Sequence, residues 1–200
     1  MKVIGLCGGS GSGKGSVSQI FSELSVTSID TDAVYHRLTS SDSECLRELV
    51  REFGDEILDT SGGLDRSVLR NVVFSSENAK QKREILNCIT HRHILDETRR
   101  IIAQKKSEGA AAIIVDAPLL YESGFDKECD VTVCVIADED IRIQRIVERD
   151  GISEEDAMKR IRGQMTDEEL LRRADYVIVN NCDFESLRSK VLEISKKILN

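Results

Sequence analysis

The first residues in this chain whose types and spacing suggest chemistry are Gly8–Ser16, GGSGSGKGS. Gly8 through Lys14 fit the phosphate-loop pattern G-x-x-x-x-G-K. Glycines let the backbone curl so that successive N–H groups point inward, and those donors, with the N-terminus of the helix that follows, surround phosphate oxygens. The lysine reaches the outer phosphates and stays with a phosphoryl group as it moves. The pattern normally continues with Ser or Thr, whose hydroxyl sits on magnesium; here Gly15 takes that place and Ser16 supplies a hydroxyl one residue late. Gly9, Ser10, Gly11, Ser12, Gly13, Lys14, Gly15 and Ser16 are the expected phosphate contacts, with Ser16 the expected metal contact. Mg²⁺ keeps several waters and needs few protein ligands, so Gly15 does not break the site.

Phosphoryl transfer also needs carboxylates and further positive charge. Asp32 ends the segment IDTD and is expected to accept a proton from an attacking hydroxyl, or to orient it. Asp30, in the same segment, is expected to be a helix N-cap. Asp116 opens DAPLLYESG and suits a magnesium carboxylate, direct or through water. Downstream, DEDIRIQRIVERDGISEEDAMKRIRGQ carries five arginines. On a helix Arg142, Arg145 and Arg149 share one side, and Ile143, Ile146 and Val147 form the adjacent buried side. Arg145 and Arg149 are the leading candidates to neutralise the shifting phosphate charge, followed by Arg160; Arg142 and Arg162 are expected on a solvated face.

These groups need a frame. Five short runs, Val3–Cys7, Val26–Ile29, Ala112–Val115, Val131–Ile136 and Tyr176–Val179, are apolar nearly throughout, as expected for strands covered on both faces. Helical patterns separate them: Lys14–Leu24, Asn78–Lys106 with a break expected near Thr90–His93, Glu139–Arg149, Ser153–Gln164 and Phe184–Leu199. Such alternation predicts an α/β fold with a parallel sheet and right-handed crossovers. Ligands of such sheets bind at the carboxyl ends of the strands, where the glycine loop, Asp32 and Asp116 all fall. About 80 residues lie between the second and third strands, far more than a crossover of about a dozen needs. They predict an inserted helical subdomain with a turn at DTSGGLD, Asp59–Asp65.

Composition bounds the rest. With 200 residues, 40% hydrophobic and 32% charged, the chain suits one core-forming domain with a grafted subdomain. A net charge of -8 argues against general nucleic-acid or membrane-surface binding. No apolar run approaches the roughly 18 residues of a membrane span. The six cysteines include no C-x-x-C pair, and several fall inside apolar patterns as small buried hydrophobes, which predicts a reduced, cytoplasmic protein without zinc.

Taken together, these segments resemble the dephospho-CoA kinase family of P-loop kinases. The glycine loop, IDTDAV, GGLDRSVLRNVVF (Gly62–Phe74), DAPLLYESG, RIVERDGISEEDAMKRIRGQ and ADYVIVNN (Ala174–Asn181) follow that family's motifs in order. The resemblance implies a P-loop kinase fold, with a five-stranded parallel sheet flanked by helices. It divides the chain into a core of 1–32, 110–138 and 174–200, a helical substrate subdomain over about 33–109, and a helical lid over about 139–173. It implies transfer of the ATP γ-phosphoryl group to the ribose 3′-hydroxyl of dephospho-CoA with Mg²⁺, in a monomer or weak homo-oligomer. Asp32 would be the catalytic base, and Lys14, Arg145 and Arg149 would act on the phosphates. His91, Leu119, Leu120, Glu122 and Arg160 would contact the acceptor, and Asn180 would lie near the adenine of ATP.

Two segments depart from the family pattern. Gly15-Ser16 replaces Ser-Thr, and Arg92 follows His91 where the family carries proline. The G-K-G-S loop also resembles that of adenylate kinases, so an adenylate kinase-type enzyme is the main alternative. A GTP switch, from the faint guanine motif in VNNCD, and a non-catalytic nucleotide binder are the others.

Overall fold

A computed structural model describes residues 1–40, 42–74 and 78–199. Its centre is β1, Lys2–Cys7, with every residue after Lys2 buried. Chain order continues with α1 (Lys14–Glu23), β2 (Thr27–Asp30), α2 (Thr31–Thr39), α3 (Glu44–Phe53), α4 (Arg66–Phe74) and α5 (Ala79–Ser107). Then come β3 (Ala112–Asp116), β4 (Val131–Ile136), α6 (Glu139–Asp150), α7 (Glu154–Arg162), α8 (Asp167–Arg173), β5 (Tyr176–Val179) and α9 (Phe184–Leu199). The five strands form one sheet, as the alternating pattern predicts, in the order β2-β3-β1-β4-β5. β1 runs parallel to β3 and β4, and β4 parallel to β5. The chain divides into two compact units, Met1–Ile29 with Ile102–Asn200, and Asp30–Ile101.

In the first unit, helices cover the sheet, so strand residues of both parities are apolar. Ile4, Leu6, Ile114, Val133 and Val135 pack with Val17, Ile20 and Phe21 of α1 and with Leu187, Val191 and Ile198 of α9. Each fully buried aliphatic or aromatic side chain contributes about 1.5–3 kcal/mol. Leu6 is in register with Asp116 on one side and Val133 on the other, which sets the carboxyl ends of β1, β3 and β4 level at the root of the glycine loop. Cys7 pairs with Cys134 there, and both are buried. Ile146 of α6 packs on Ala157 and Ile161 of α7, with Ile143 and Val147 half-buried beside it.

The second unit is helical and has a core of its own, in which Leu46, Leu49 and Phe53 of α3 meet Ile57, Leu69, Val73 and Ile89. Asp30 caps α2, accepting the N–H groups of Asp32 and Ala33 at 2.8 and 3.1 Å, as expected. The turn at Asp59–Asp65 is closed by the Asp59 carboxylate, which accepts N–H groups from Ser61 (2.8 Å) and Gly63 (3.0 Å).

Two expectations about helices need correcting. The break near Thr90–His93 is absent, and α5 runs unbroken. No proline interrupts its backbone ladder there. The Thr90 hydroxyl donates back to the Leu86 carbonyl (2.8 Å), and Arg92 and His93 both engage Glu48 of α3. α8 was not anticipated as a separate helix. Its start carries a capping box, Thr166 with Glu169, that the spacing T-x-x-E announces.

Candidate functional site

The glycine loop joins β1 to α1. Gly13 sits at the helix N-cap with φ 96°, a left-handed conformation that strongly favours glycine. No side chain caps the first turn of α1, so its leading N–H groups face the loop without the usual hydroxyl or carboxylate acceptor. Lys14 donates from Nζ to the Gly8 carbonyl at 3.1 Å, folding over the loop that it belongs to. The Ser12 hydroxyl is buried and, among the described residues, has no hydrogen-bond partner. An unsatisfied buried hydroxyl costs about 1–3 kcal/mol, which a bound anion would relieve.

The loop's outward-facing carbonyls are held by residues far along the chain. Asn180, at the end of β5, is buried and donates from Nδ2 to the Ser12 carbonyl at 2.8 Å. Arg145 of α6 donates to the carbonyls of Gly11 (3.2 Å) and Asn180 (3.2 Å). A Cβ on Gly13 would lie 2.1 Å from Asn180 Nδ2, so glycine is required for this approach as well as for its φ. Asn180, linked by the resemblance to adenine, thus already spends its amide on the loop backbone.

Arg142 overturns an expectation. It is not on a solvated face but buried, donating from Nε to the Ser10 carbonyl (2.9 Å) and pairing with Asp167 (3.1 Å). α6 turns this side against the loop rather than toward water, a tertiary choice that helical periodicity cannot reveal. Gln164, which closes the RIVERDGISEEDAMKRIRGQ motif but has no role assigned from the sequence, accepts the Ser10 N–H (2.8 Å) and donates to the Ser10 hydroxyl (3.2 Å). Arg162 is exposed, as expected.

Arg149 and Arg160 converge on one carboxylate. Arg149 holds Asp150 through two bonds, 2.7 and 2.9 Å, and Arg160 engages the same group from α7. Hydrogen bonding to Arg149 above all, and to Arg160, holds the Asp150 carboxyl down to about 2. The depressed value keeps the trio paired from neutral pH down to strong acid, and the pairing is lost only as pH falls through about 2.

Beyond β3, Asp116 stands half-buried at the strand end, level with Leu6. Leu119 and Glu122 are exposed on the turn that follows. Leu120 is a correction: it is fully buried, with its methyl groups so close to β1 that a Cβ on Gly5 would lie 2.8 Å away. It belongs to the core and cannot line an acceptor entry. In the second unit, Asp32 is exposed in the first turn of α2, and His91 is half-buried on α5.

No group of three or more His, Cys, Asp or Glu among the described residues could hold a metal by itself. A Ser16 hydroxyl at the start of α1 and an Asp116 carboxylate are hard oxygen donors, the kind that share Mg²⁺ with substrate phosphates and water. Nothing lies within 4 Å of where a Gly15 Cβ would stand, so this side of the helix start is open. The residues fit that ion.

The dephospho-CoA kinase (CoaE) family model matches residues 2–186. A curated dephospho-CoA kinase of Corynebacterium efficiens is 38% identical over 98% of this chain and 96% of its own. The crystal structure of a Thermus thermophilus protein superposes with a TM-score of 0.80 at 28% identity, covering 98% of this chain and 97% of that one. A dephospho-CoA kinase from Campylobacter jejuni shares the fold with a TM-score of 0.73 at 24% identity, covering 98% and 96% of the two chains.

Proposed function

We infer the reaction from one premise: the chain belongs to the dephospho-CoA kinase family. It transfers the γ-phosphoryl group of ATP to the ribose 3′-hydroxyl of dephospho-CoA, giving CoA and ADP, the last step of coenzyme A synthesis. The observation that carries this is the family match across 2–186, with a phosphate loop formed between β1 and α1. The new bond joins the 3′-oxygen to γ-phosphorus, and the bond from γ-phosphorus to the β–γ bridging oxygen breaks.

The roles of individual residues are our proposal. The loop amides from Gly9 to Ser16 receive the phosphates, supported by positive φ at Gly11 and Gly13 and by the uncapped helix start. Lys14 leaves the Gly8 carbonyl to follow the moving group, and Arg145, already on the loop carbonyls, adds charge beside it. Asp32 takes the proton of the 3′-hydroxyl; its place just past β2 at a strand's carboxyl end supports this. Leu119, Glu122 and His91 contact the acceptor. Arg149 and Arg160 reach the substrates from the α6–α7 corner after Asp150 releases them. Ser16 and Asp116 would hold Mg²⁺, directly or through water, and the ion would supply positive charge against the phosphates.

The chain acts in the cytoplasm, a reading in keeping with its six free cysteines, and as a monomer or weak homo-oligomer. No described helix is long and apolar enough to cross a membrane. The deciding experiment is ADP release measured across dephospho-CoA, AMP and other nucleoside acceptors. Turnover with dephospho-CoA alone is expected; preference for AMP would favour an adenylate kinase-type enzyme, and ATP binding without acceptor-dependent turnover a mere binder.

A further inference from the structure

We propose that Gln164 and Arg142 are positioning residues for phosphoryl transfer, acting through Ser10 to set the shape of the phosphate loop before nucleotide arrives. The assignment rests on the kinase reading above. Ser10 has three polar groups, and all three are held by side chains more than 130 residues away. Its N–H donates to Gln164 Oε1 at 2.8 Å, its hydroxyl accepts from Gln164 Nε2 at 3.2 Å, and its carbonyl accepts from Arg142 Nε at 2.9 Å. A primary amide is suited to this because it offers an acceptor and a donor side by side. The guanidinium is suited because two of its nitrogens, Nε and Nη1, held apart on one rigid plane, serve the Ser10 carbonyl and Asp167 at once, where an ammonium would have a single nitrogen.

The loop sequence is shaped around this grip. A Cβ on Gly9 would stand 2.0 Å from Arg142 Nη2, and one on Gly11 would stand 2.6 Å from the Arg142 main-chain oxygen. The glycines flanking Ser10 therefore leave the space that α6 occupies. Asp167 opens α8 and Gln164 lies between α7 and α8, so the latch ties the segment that follows α6 to the loop tip. A loop rich in glycine loses much backbone entropy on ordering. Fixing Ser10 in advance removes part of that cost from nucleotide binding.

The test uses the full-length enzyme, with calorimetry of Mg–ATP binding and steady-state kinetics on Gln164→Ala, Ser10→Ala and the double variant. Gln164→Ala is expected to raise the ATP Kd and KM about tenfold, since both of its hydrogen bonds to Ser10 are lost. The KM for dephospho-CoA stays at the wild-type value. Ser10→Ala alone raises the ATP Kd about threefold for one lost bond. The double variant matches Gln164→Ala rather than the product of the two effects, because both act through one residue. Arg142→Lys, which keeps the charge but not the fork, also weakens ATP binding. If the double variant shows the full product, Gln164 works independently of Ser10 and the proposal is wrong. Unchanged ATP affinity, tighter ATP binding, or a change confined to the acceptor KM overturns it equally. A wild-type chain that binds no ATP refutes the kinase reading itself, whereas an active wild type with indifferent variants refutes only the latch.

Discussion

The phosphate loop and the helical unit hold their functional residues by different means. In the loop, polar side chains buried or half-buried in the fold grip main-chain carbonyls: Arg142 on Ser10, Arg145 on Gly11, Asn180 on Ser12. In the helical unit, Asp32 and His91 ride on helices whose polar ties are local caps and exposed ion pairs, such as Asp30 on α2 or Arg92 with Glu48. A helix fixes its side chains through its own hydrogen bonds. A glycine loop has no such ladder, so its shape must come from elsewhere in the fold. The loop should therefore be sensitive to distant changes, and the helical unit should not.

Substitutions can break or sharpen that contrast. Lys14→Ala should remove the charge that follows the phosphoryl group and cut kcat by on the order of 10³ or more, read by ADP release. Asp32→Asn should lower kcat by on the order of 10² while ATP affinity holds, because only proton transfer is lost; a wild-type rate would exclude it as the base. Gly9→Ala should raise the ATP Kd about tenfold, equivalent to roughly 1.4 kcal/mol, by pushing Arg142 off Ser10. A normal Kd there would mean that the loop does not depend on α6. Gly15→Ser meets open space and should shift the magnesium dependence by no more than about threefold, within the modest worth of one added ligand hydrogen bond or metal contact. A large gain in rate would instead mean that the natural metal site is impaired. Arg92→Ala, on the exposed side of α5, should leave kcat/KM and the melting temperature unchanged; a marked loss would show that the helical unit is as tightly coupled as the loop.

Much of the frame was legible because its signals are local. Most strand residues are apolar, and β4, β5 and α9 begin and end where the pattern places them. Asp30 as an N-cap and Ile146 on the buried side of α6 follow from short-range rules. The errors concern contacts between segments far apart in sequence. Arg142 has the periodicity of a surface residue, and only the loop packed against α6 makes it a buried one. Leu120 adjoins an exposed Leu119, and only Gly5 on the neighbouring strand shows which of the two leucines is inside. Arg92 without its proline suggested an altered backbone, yet Glu48 on α3 gives it an ordinary helical place.

The kind of chemistry is written in the order of the amino acids, because a run of glycines ending in lysine between a strand and a helix has few uses other than holding phosphate, and that pattern needs only neighbouring residues to be read. The tertiary structure decided which polar groups keep the loop in shape. Arg142, Gln164 and Asn180 meet it only after the chain has crossed the sheet, since hydrogen bonds depend on separation in space and carry no trace in the spacing of residues along the chain.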